Sequence, residues 1–194
     1  MKKTIYSYYE SLQARNQSEE FACANIWKST WVAAGWNPIM LNSSHAKISP
    51  LYQKLMSKLL VLSSSLPSEL QNIFPEIQVR FSRWCALHSA GGGWMSDYDV
   101  INKSFTCSDA DEIQKTNSLY IFNREKCCLF YANSDLAMGS VMRLISEDLH
   151  EGSFLKKEAD ILGFTKETNQ IGDKVIHVGK KNSEKKSENM KKIA

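Results

Sequence analysis

Two aspartates separated by one residue end an apolar stretch, in the segment Trp94-Met95-Ser96-Asp97-Tyr98-Asp99-Val100. In an extended segment residues two apart point to the same side, so Asp97 and Asp99 would present two carboxylates with their backbones about 7 Å apart. Such a pair suits a hard divalent cation, because Mg²⁺ and Mn²⁺ take oxygen ligands and leave positions for water and substrate phosphates. The alternative is an acidic turn at the end of a strand, with a purely structural role.

An arginine and a run of glycines precede the acidic pair. Arg83 falls within the preceding predicted helix, and its guanidinium has the planar fork that matches oxyanions such as a diphosphate. The alternative for Arg83 is an ion pair on the helix surface. The glycines at 91–93 end that helix and allow a ligand or another part of the chain to approach the backbone closely.

Alternating elements must position these residues. Apolar spacing, caps and turn residues predict strands at Thr4–Tyr9, Pro38–Leu41, Trp94–Ile101, Ser118–Phe122, Cys127–Tyr131 and Lys174–Val178, with helices at about 18–34, Leu51–Leu62, Ile77–Ser89 and Ser134–His150. The pattern favours an α/β domain with a mostly parallel central sheet and helices on both faces. In such sheets ligands bind at the carboxyl ends of the strands.

The region around the acidic pair resembles the sugar-nucleotide glycosyltransferases of the GT-A fold, in the group whose sugar-binding region contains a DXD motif. The resemblance lies in the order Arg83, Leu87, Gly91-Gly92, Trp94 and Asp97-Tyr98-Asp99-Val100. Two departures are present. The stretch between the glycine pair and Asp97 is one residue longer than in the family, and Arg80 stands where the family often has an aspartate.

This resemblance implies a single GT-A, Rossmann-like domain that transfers a sugar from a UDP- or GDP-sugar to a hydroxyl of a glycan, lipid or protein acceptor. It also implies a Mn²⁺ or Mg²⁺ cofactor that stabilises the leaving diphosphate. Asp99 would be a direct metal ligand, Asp97 would contact the metal or the ribose, and Arg83 would reach the donor.

The resemblance assigns further residues at the two ends of the domain. Tyr6, Ser7 and Tyr9 would face the nucleotide, although core packing explains the tyrosines equally well. His177 would be a further ligand of the metal ion, and Lys180 would contact the diphosphate. The alternatives are a core histidine in an apolar strand and a lysine that only begins a charged tail.

No residue identifies the catalytic base. An inverting enzyme needs a base near the acceptor hydroxyl, and Asp135, Glu147 and Asp148 are candidates. A helix cap at Ser134 explains the polar residues around Asp135 equally well. The resemblance leans toward retention of stereochemistry without deciding it.

Charge and composition set the domain boundaries. The net charge of +3 arises in residues 180–194, which contain six lysines and two glutamates, while the rest of the chain has 18 basic and 19 acidic residues. We therefore expect a catalytic domain at 1–179, a lysine-rich disordered tail at 180–194 and no nucleic-acid partner. The absence of a signal peptide or transmembrane run favours a cytoplasmic protein.

Two other functions fit the same residues. One is a non-catalytic module that binds a cation or carbohydrate, and the other is a nucleotidyltransferase that holds a triphosphate through the two aspartates.

Overall fold

The structure is a computed structural model that describes residues 2–10, 17–64, 71, 74–116, 119–122, 128–146 and 174–177. The elements in chain order are β1 (Thr4–Tyr8), α1 (Gln17–Ala33), β2 (Asn37–Leu41), α2 (Ser43–Ile48), α3 (Tyr52–Ser64), α4 (Phe74–Ser89), β3 (Gly92–Ser96), β4 (Val100–Asn102), α5 (Cys107–Thr116), β5 (Leu119–Phe122), β6 (Leu129–Asn133), α6 (Ser134–Ser146) and β7 (Val175–His177). The lysine-rich tail lies outside the described residues. Within the described part of the chain, no helix is both long and apolar enough to cross a membrane.

Five strands form the central sheet, in the order β2-β1-β3-β6-β5. The strand β1 pairs in parallel with β2 and β3, whereas β6 is antiparallel to both β3 and β5. The domain is therefore α/β with a mixed sheet, in which parallel and antiparallel pairings are equally frequent. This arrangement is compatible with a single Rossmann-like domain.

Successive residues of the sheet enter two different cores, as strand geometry requires. On one side, which we call the α1-side core, Trp94 and Leu129 pack with the tryptophans of α1. On the other side, the α4-side core, Met95 and Phe130 pack against α4 and its neighbours. The sheet is thus covered on both faces, and its polar chemistry is confined to its edges.

A second, smaller sheet consists of β4 and β7 alone. These strands are antiparallel, with Val100 opposite His177 and Asn102 opposite Val175. The sequence predicts one extended segment from Trp94 to Ile101, but residues 97–99 form a turn that separates β3 from β4. That turn, with the aspartates at its two ends, lies where the large sheet passes into the small one.

Local chemistry explains two further differences from the sequence prediction. The helix α6 begins at Ser134, but Asn133 is its cap, because the Asn133 side chain accepts a hydrogen bond of 2.9 Å from the Leu136 amide. The helix α2, which apolar periodicity does not predict, is held by a capping box between Asn42 and His45.

Candidate active site

The acidic turn is closed by its own backbone and tied to the neighbouring strand. The Val100 amide donates to the Asp97 carbonyl at 3.1 Å, which closes a four-residue turn, and the Asp97 amide donates to the Cys128 carbonyl at 2.8 Å. The second bond extends the pairing of β3 with β6 by one residue. Asp97 and Asp99 are therefore brought together by a turn rather than by the alternation of a strand.

Two tryptophans of α1 hold the two sides of this turn. The Trp27 indole donates to the Ser96 hydroxyl at 2.8 Å, and the Trp31 indole donates to the Val100 carbonyl at 3.1 Å. Residues four apart lie on the same face of a helix, so both indoles of α1 can hydrogen-bond to residues 96 and 100, which flank the two aspartates. Both indoles are buried, and buried indole N–H groups need such acceptors.

Arg83 is part of the site, through an ion pair with Asp97. Its guanidinium donates to a carboxylate oxygen of Asp97 at 2.8 Å and lies 5.1 Å from the centre of the Phe130 ring. Arg83 is only 7% exposed, whereas about a third of the Asp97 side chain is exposed. The sequence offered a surface ion pair or a contact to the donor, and the structure gives a partly buried ion pair between Arg83 and Asp97.

We expect this ion pair to stabilise the fold measurably. In a double-mutant cycle of Arg83→Met and Asp97→Asn, the coupling free energy should be about 1–2 kcal/mol, between the values typical of exposed and buried pairs. Urea unfolding of the four proteins measures it. The more exposed Lys3–Asp111 pair is the matched control and should couple more weakly. Additive effects at Arg83 and Asp97 would contradict the assigned role.

Two tyrosine side chains lie beside the acidic turn, next to the end of β1. The Tyr9 and Tyr98 rings meet edge to face with their centres 5.7 Å apart, and the Tyr9 hydroxyl donates to the Glu20 carboxylate at 2.9 Å. Burial raises the pKa of Tyr98, and the nearby Glu20 and Asp99 carboxylates act in the same direction. The Tyr98 phenol beside Asp99 is consequently neutral at physiological pH.

The other β1 residues differ in their surroundings. Tyr6 is half-buried, and its ring lies where a Cβ on Gly93 would come within 3.1 Å, so it packs on the neighbouring strand. Ser7 is fully buried, and its hydroxyl makes no hydrogen bond within the described residues. Of Tyr6, Ser7 and Tyr9, which the resemblance assigned to a nucleotide, Tyr9 contacts the acidic turn through Tyr98.

The pairing of β7 with β4 brings His177 to the same region. His177 lies opposite Val100, the residue that follows Asp99. Directly opposed residues of an antiparallel pair have Cα atoms about 4.5–5.5 Å apart. The His177 side chain and Lys180 lie outside the described part of the chain. In that part, no group of three or more His, Cys, Asp or Glu side chains is arranged to hold a metal ion.

Asp135 lies away from this group of residues. Asn133 is opposite Gly92 at the start of β3, whereas Leu129 is opposite Ser96 at its end. Asp135, in the first turn of α6, therefore belongs to the opposite edge of the sheet, about 13 Å from the acidic turn along β3. Glu147 and Asp148, the other candidate bases, lie outside the described residues.

Sequence reasoning did not identify the residues that position the site. The helical spacing of Trp27 and Trp31 is typical of core packing, and the structure adds the hydrogen bonds of both indoles to the turn. Two buried indoles four residues apart on one helix each need an acceptor, and that requirement was the available signal. Glu20 carries no comparable signal, because nothing in the chain order relates it to the acidic pair, and nothing marks the adjacent Ser96 as the acceptor of an indole hydrogen bond.

A family model described as Domain of unknown function (DUF8765) matches residues 1–111, more than half of the chain. The match includes β1 to β4 and therefore Arg83, Asp97 and Asp99, while β5, β6, α6 and β7 follow it. Searches of curated proteins and of solved structures each gave no match.

Proposed function

We propose that this chain, which belongs to the family described as Domain of unknown function (DUF8765), is a metal-dependent glycosyltransferase. Its donor is a UDP- or GDP-sugar, and its acceptor is a hydroxyl of a glycan, lipid or protein. The proposal includes a GT-A-type fold, which is supported by the strand directions: β1, β2, β3 and β5 run the same way, and only β6 runs against them.

One observation carries the proposal. Asp97 and Asp99 lie in a turn at the carboxyl end of β3, beside the end of the parallel strand β1, and the β4–β7 pairing brings the distant His177 next to that turn. Carboxyl ends of parallel strands are where α/β sheets bind ligands. A solvated acidic turn would need neither the buried arginine nor the two indoles that hold it.

The chemistry of these side chains fits a Mn²⁺ or Mg²⁺ ion. Asp97 and Asp99 would supply hard oxygen ligands, and a carboxylate has enough acceptor positions to pair with Arg83 and bind a cation at the same time. Asp97, Asp99 and His177 would hold the ion, which when bound would neutralise charge developing on the leaving diphosphate. Arg83 would orient the Asp97 carboxylate, and the indoles of α1 would hold the turn in place around the ion.

The residues of β1 would serve the donor. Tyr9 offers an aromatic edge next to Tyr98, and the buried Ser7 hydroxyl retains capacity for a further hydrogen bond. Lys180 would meet the diphosphate. No described residue provides strong grounds for a base at the acceptor, and Asp135 follows Asn133, which lies opposite the start of β3 and not its end at the turn.

A thermal-shift panel of UDP- and GDP-sugars, with and without Mn²⁺, tests the proposal. A donor at about 100 times its Kd stabilises the fold by about 2.7 kcal/mol, which for a domain of this size is a rise in Tm of roughly 5–10 °C. We expect that rise for one donor class and only with the metal, followed by slow release of the nucleoside diphosphate.

Three outcomes would contradict it. If no nucleotide sugar shifts the Tm, the donor site is wrong. Sugar or cation binding without turnover of any donor would indicate a non-catalytic binding module. Release of pyrophosphate from a nucleoside triphosphate would indicate a nucleotidyltransferase.

A further inference from the structure

The ribbon formed by β4 and β7 is too short to maintain its own register. Each strand has three residues, and an isolated two-stranded ribbon is marginal in water. A slip of one residue would replace His177 by a neighbour opposite Val100 and reverse the faces of all β7 side chains. Something outside the ribbon must therefore fix β7 on β4.

Lys174, immediately before β7, makes the contacts that can do this. Its carbonyl accepts from the amides of Lys103 and Ser104, at 2.8 and 3.2 Å. Its ammonium group forms an ion pair of 2.5 Å with Asp109 on α5. Val175 adds an apolar contact, because it is buried in the α1-side core.

Asp109 is itself held rigidly, so it can serve as a fixed anchor. One carboxylate oxygen accepts from the Thr106 amide and hydroxyl, at 2.8 and 2.9 Å, and the Asp109 amide donates back to the Thr106 hydroxyl. This reciprocal pair is a capping box at the start of α5. The other carboxylate oxygen binds Lys174.

The charge on Asp109 persists at neutral pH. Partial burial raises the pKa of Asp109, but the hydrogen bonds from Lys174 and Thr106 outweigh this effect and hold that pKa below its usual value. A lowered pKa means that the ion pair is present above the ordinary carboxylate range and is lost only as the pH falls through the lowered value.

We propose that the Lys174–Asp109 ion pair positions His177 for metal binding, by fixing the register of β7 on β4 so that His177 stays opposite Val100, the residue that follows Asp99. The inference rests on the proposed function, since it concerns the same metal site. Lys174 and Asp109 are positioning residues, because they act through the strand and do not touch the ion.

The test is Mn²⁺ binding by isothermal titration calorimetry on the nucleotide-free protein carrying Lys174→Met. This change removes the charge, keeps most of the side-chain length and leaves the Thr106–Asp109 capping box in place. We expect Mn²⁺ affinity to fall about tenfold, the lower end of the cost of losing an interaction that orients a metal ligand. Hydrogen exchange of the amides in 100–102 and 175–177 should become faster in the same variant.

Lys3→Met is the matched control, because it removes another lysine that pairs with α5, through Asp111. It should leave Mn²⁺ affinity within about twofold of the unmodified protein. A general loss of α5 stability would affect both variants. The second arm places Lys174→Met in a His177→Ala background, where we expect no further loss of affinity because Lys174 acts through His177.

The outcomes separate the two proposals. If the unmodified protein and the Lys174→Met variant bind Mn²⁺ equally well, the positioning inference is wrong and the proposed function stands. The same conclusion follows if Lys174→Met lowers Mn²⁺ affinity as much in the His177→Ala background as it does alone. If the unmodified protein binds neither Mn²⁺ nor a nucleotide sugar, both are wrong.

Discussion

The Asp99→Asn variant is expected to lose metal-dependent turnover of the donor by at least about a hundredfold, because groups that stabilise charge on a leaving phosphate contribute several kcal/mol to catalysis. Asparagine has nearly the same shape as aspartate, so the buried position is still filled while the charge is removed. Release of nucleoside diphosphate with saturating Mn²⁺ measures the loss. The Mn²⁺-dependent rise in Tm with the donor should disappear in parallel.

Asp111→Asn is the control for this variant. Asp111 is an exposed aspartate on α5, and its removal takes away a similar charge far from the acidic turn in the fold. We expect its turnover to remain near that of the unmodified protein. Urea unfolding of both variants distinguishes lost chemistry from lost folding. If Asp99→Asn is folded and retains full metal-dependent turnover, Asp99 is not a metal ligand.

The Gly92→Ala variant is expected to lower the free energy of unfolding by about 3–5 kcal/mol, a large part of the stability of an ordinary domain. A Cβ at this position would lie 2.4 Å from the Ser134 nitrogen and 2.5 Å from the Asn133 carbonyl carbon. Both are backbone atoms at the junction of β6 and α6, which cannot move aside as a flexible side chain can. The φ of +79° adds the strain of a left-handed conformation for any residue with a Cβ.

Two other glycines separate the causes. Gly91 has a φ of +87° and no atom within 4 Å of its Cβ position, so Gly91→Ala measures conformational strain alone, about 1–2 kcal/mol. Gly139 lies within α6 with open space around it, and Gly139→Ala should stabilise the helix by up to about 1 kcal/mol. Urea midpoints with unchanged m values give all three numbers. If Gly92→Ala costs no more than Gly91→Ala, the close approach to α6 is wrong.

Strong local signals predicted much of the fold. The helix α1, the strands β1 and β2 and the helix α4 carry caps, apolar spacing or glycine stops, and the structure contains each of them close to the predicted bounds. The helices α2 and α5 were missed, because a capping box rather than an apolar pattern marks the start of each. The predicted strand Trp94–Ile101 is divided by the turn at 97–99 into β3 and β4. The α/β class was predicted correctly, whereas the direction of the single reversed strand β6 was not, since strand direction depends on long-range pairing.

For the candidate site, the sequence identified Asp97, Asp99 and Arg83 but related them differently. The two aspartates were expected to face one way along a strand, whereas a hydrogen-bonded turn joins them. Arg83 was expected to reach a donor or to form an ion pair on the helix surface, and it forms a partly buried ion pair with Asp97. Asp135 appeared comparable to them as a candidate, and the β3–β6 register places it at the other edge of the sheet. Register of this kind is set by packing across the domain and leaves little trace in local composition.

The sequence by itself determined which side chains are available and where elements begin and end, because caps, glycines and apolar spacing act over a few residues. It therefore yielded the acidic pair, the preceding arginine and glycines, and the α/β alternation. Only the tertiary structure decided which groups meet: Trp27 and Trp31 on the sides of the turn, Arg83 on Asp97, His177 opposite Val100, and Lys174 on Asp109. These contacts join residues far apart in the chain, and their free energy arises from burial and pairing that exist only after the whole domain has folded.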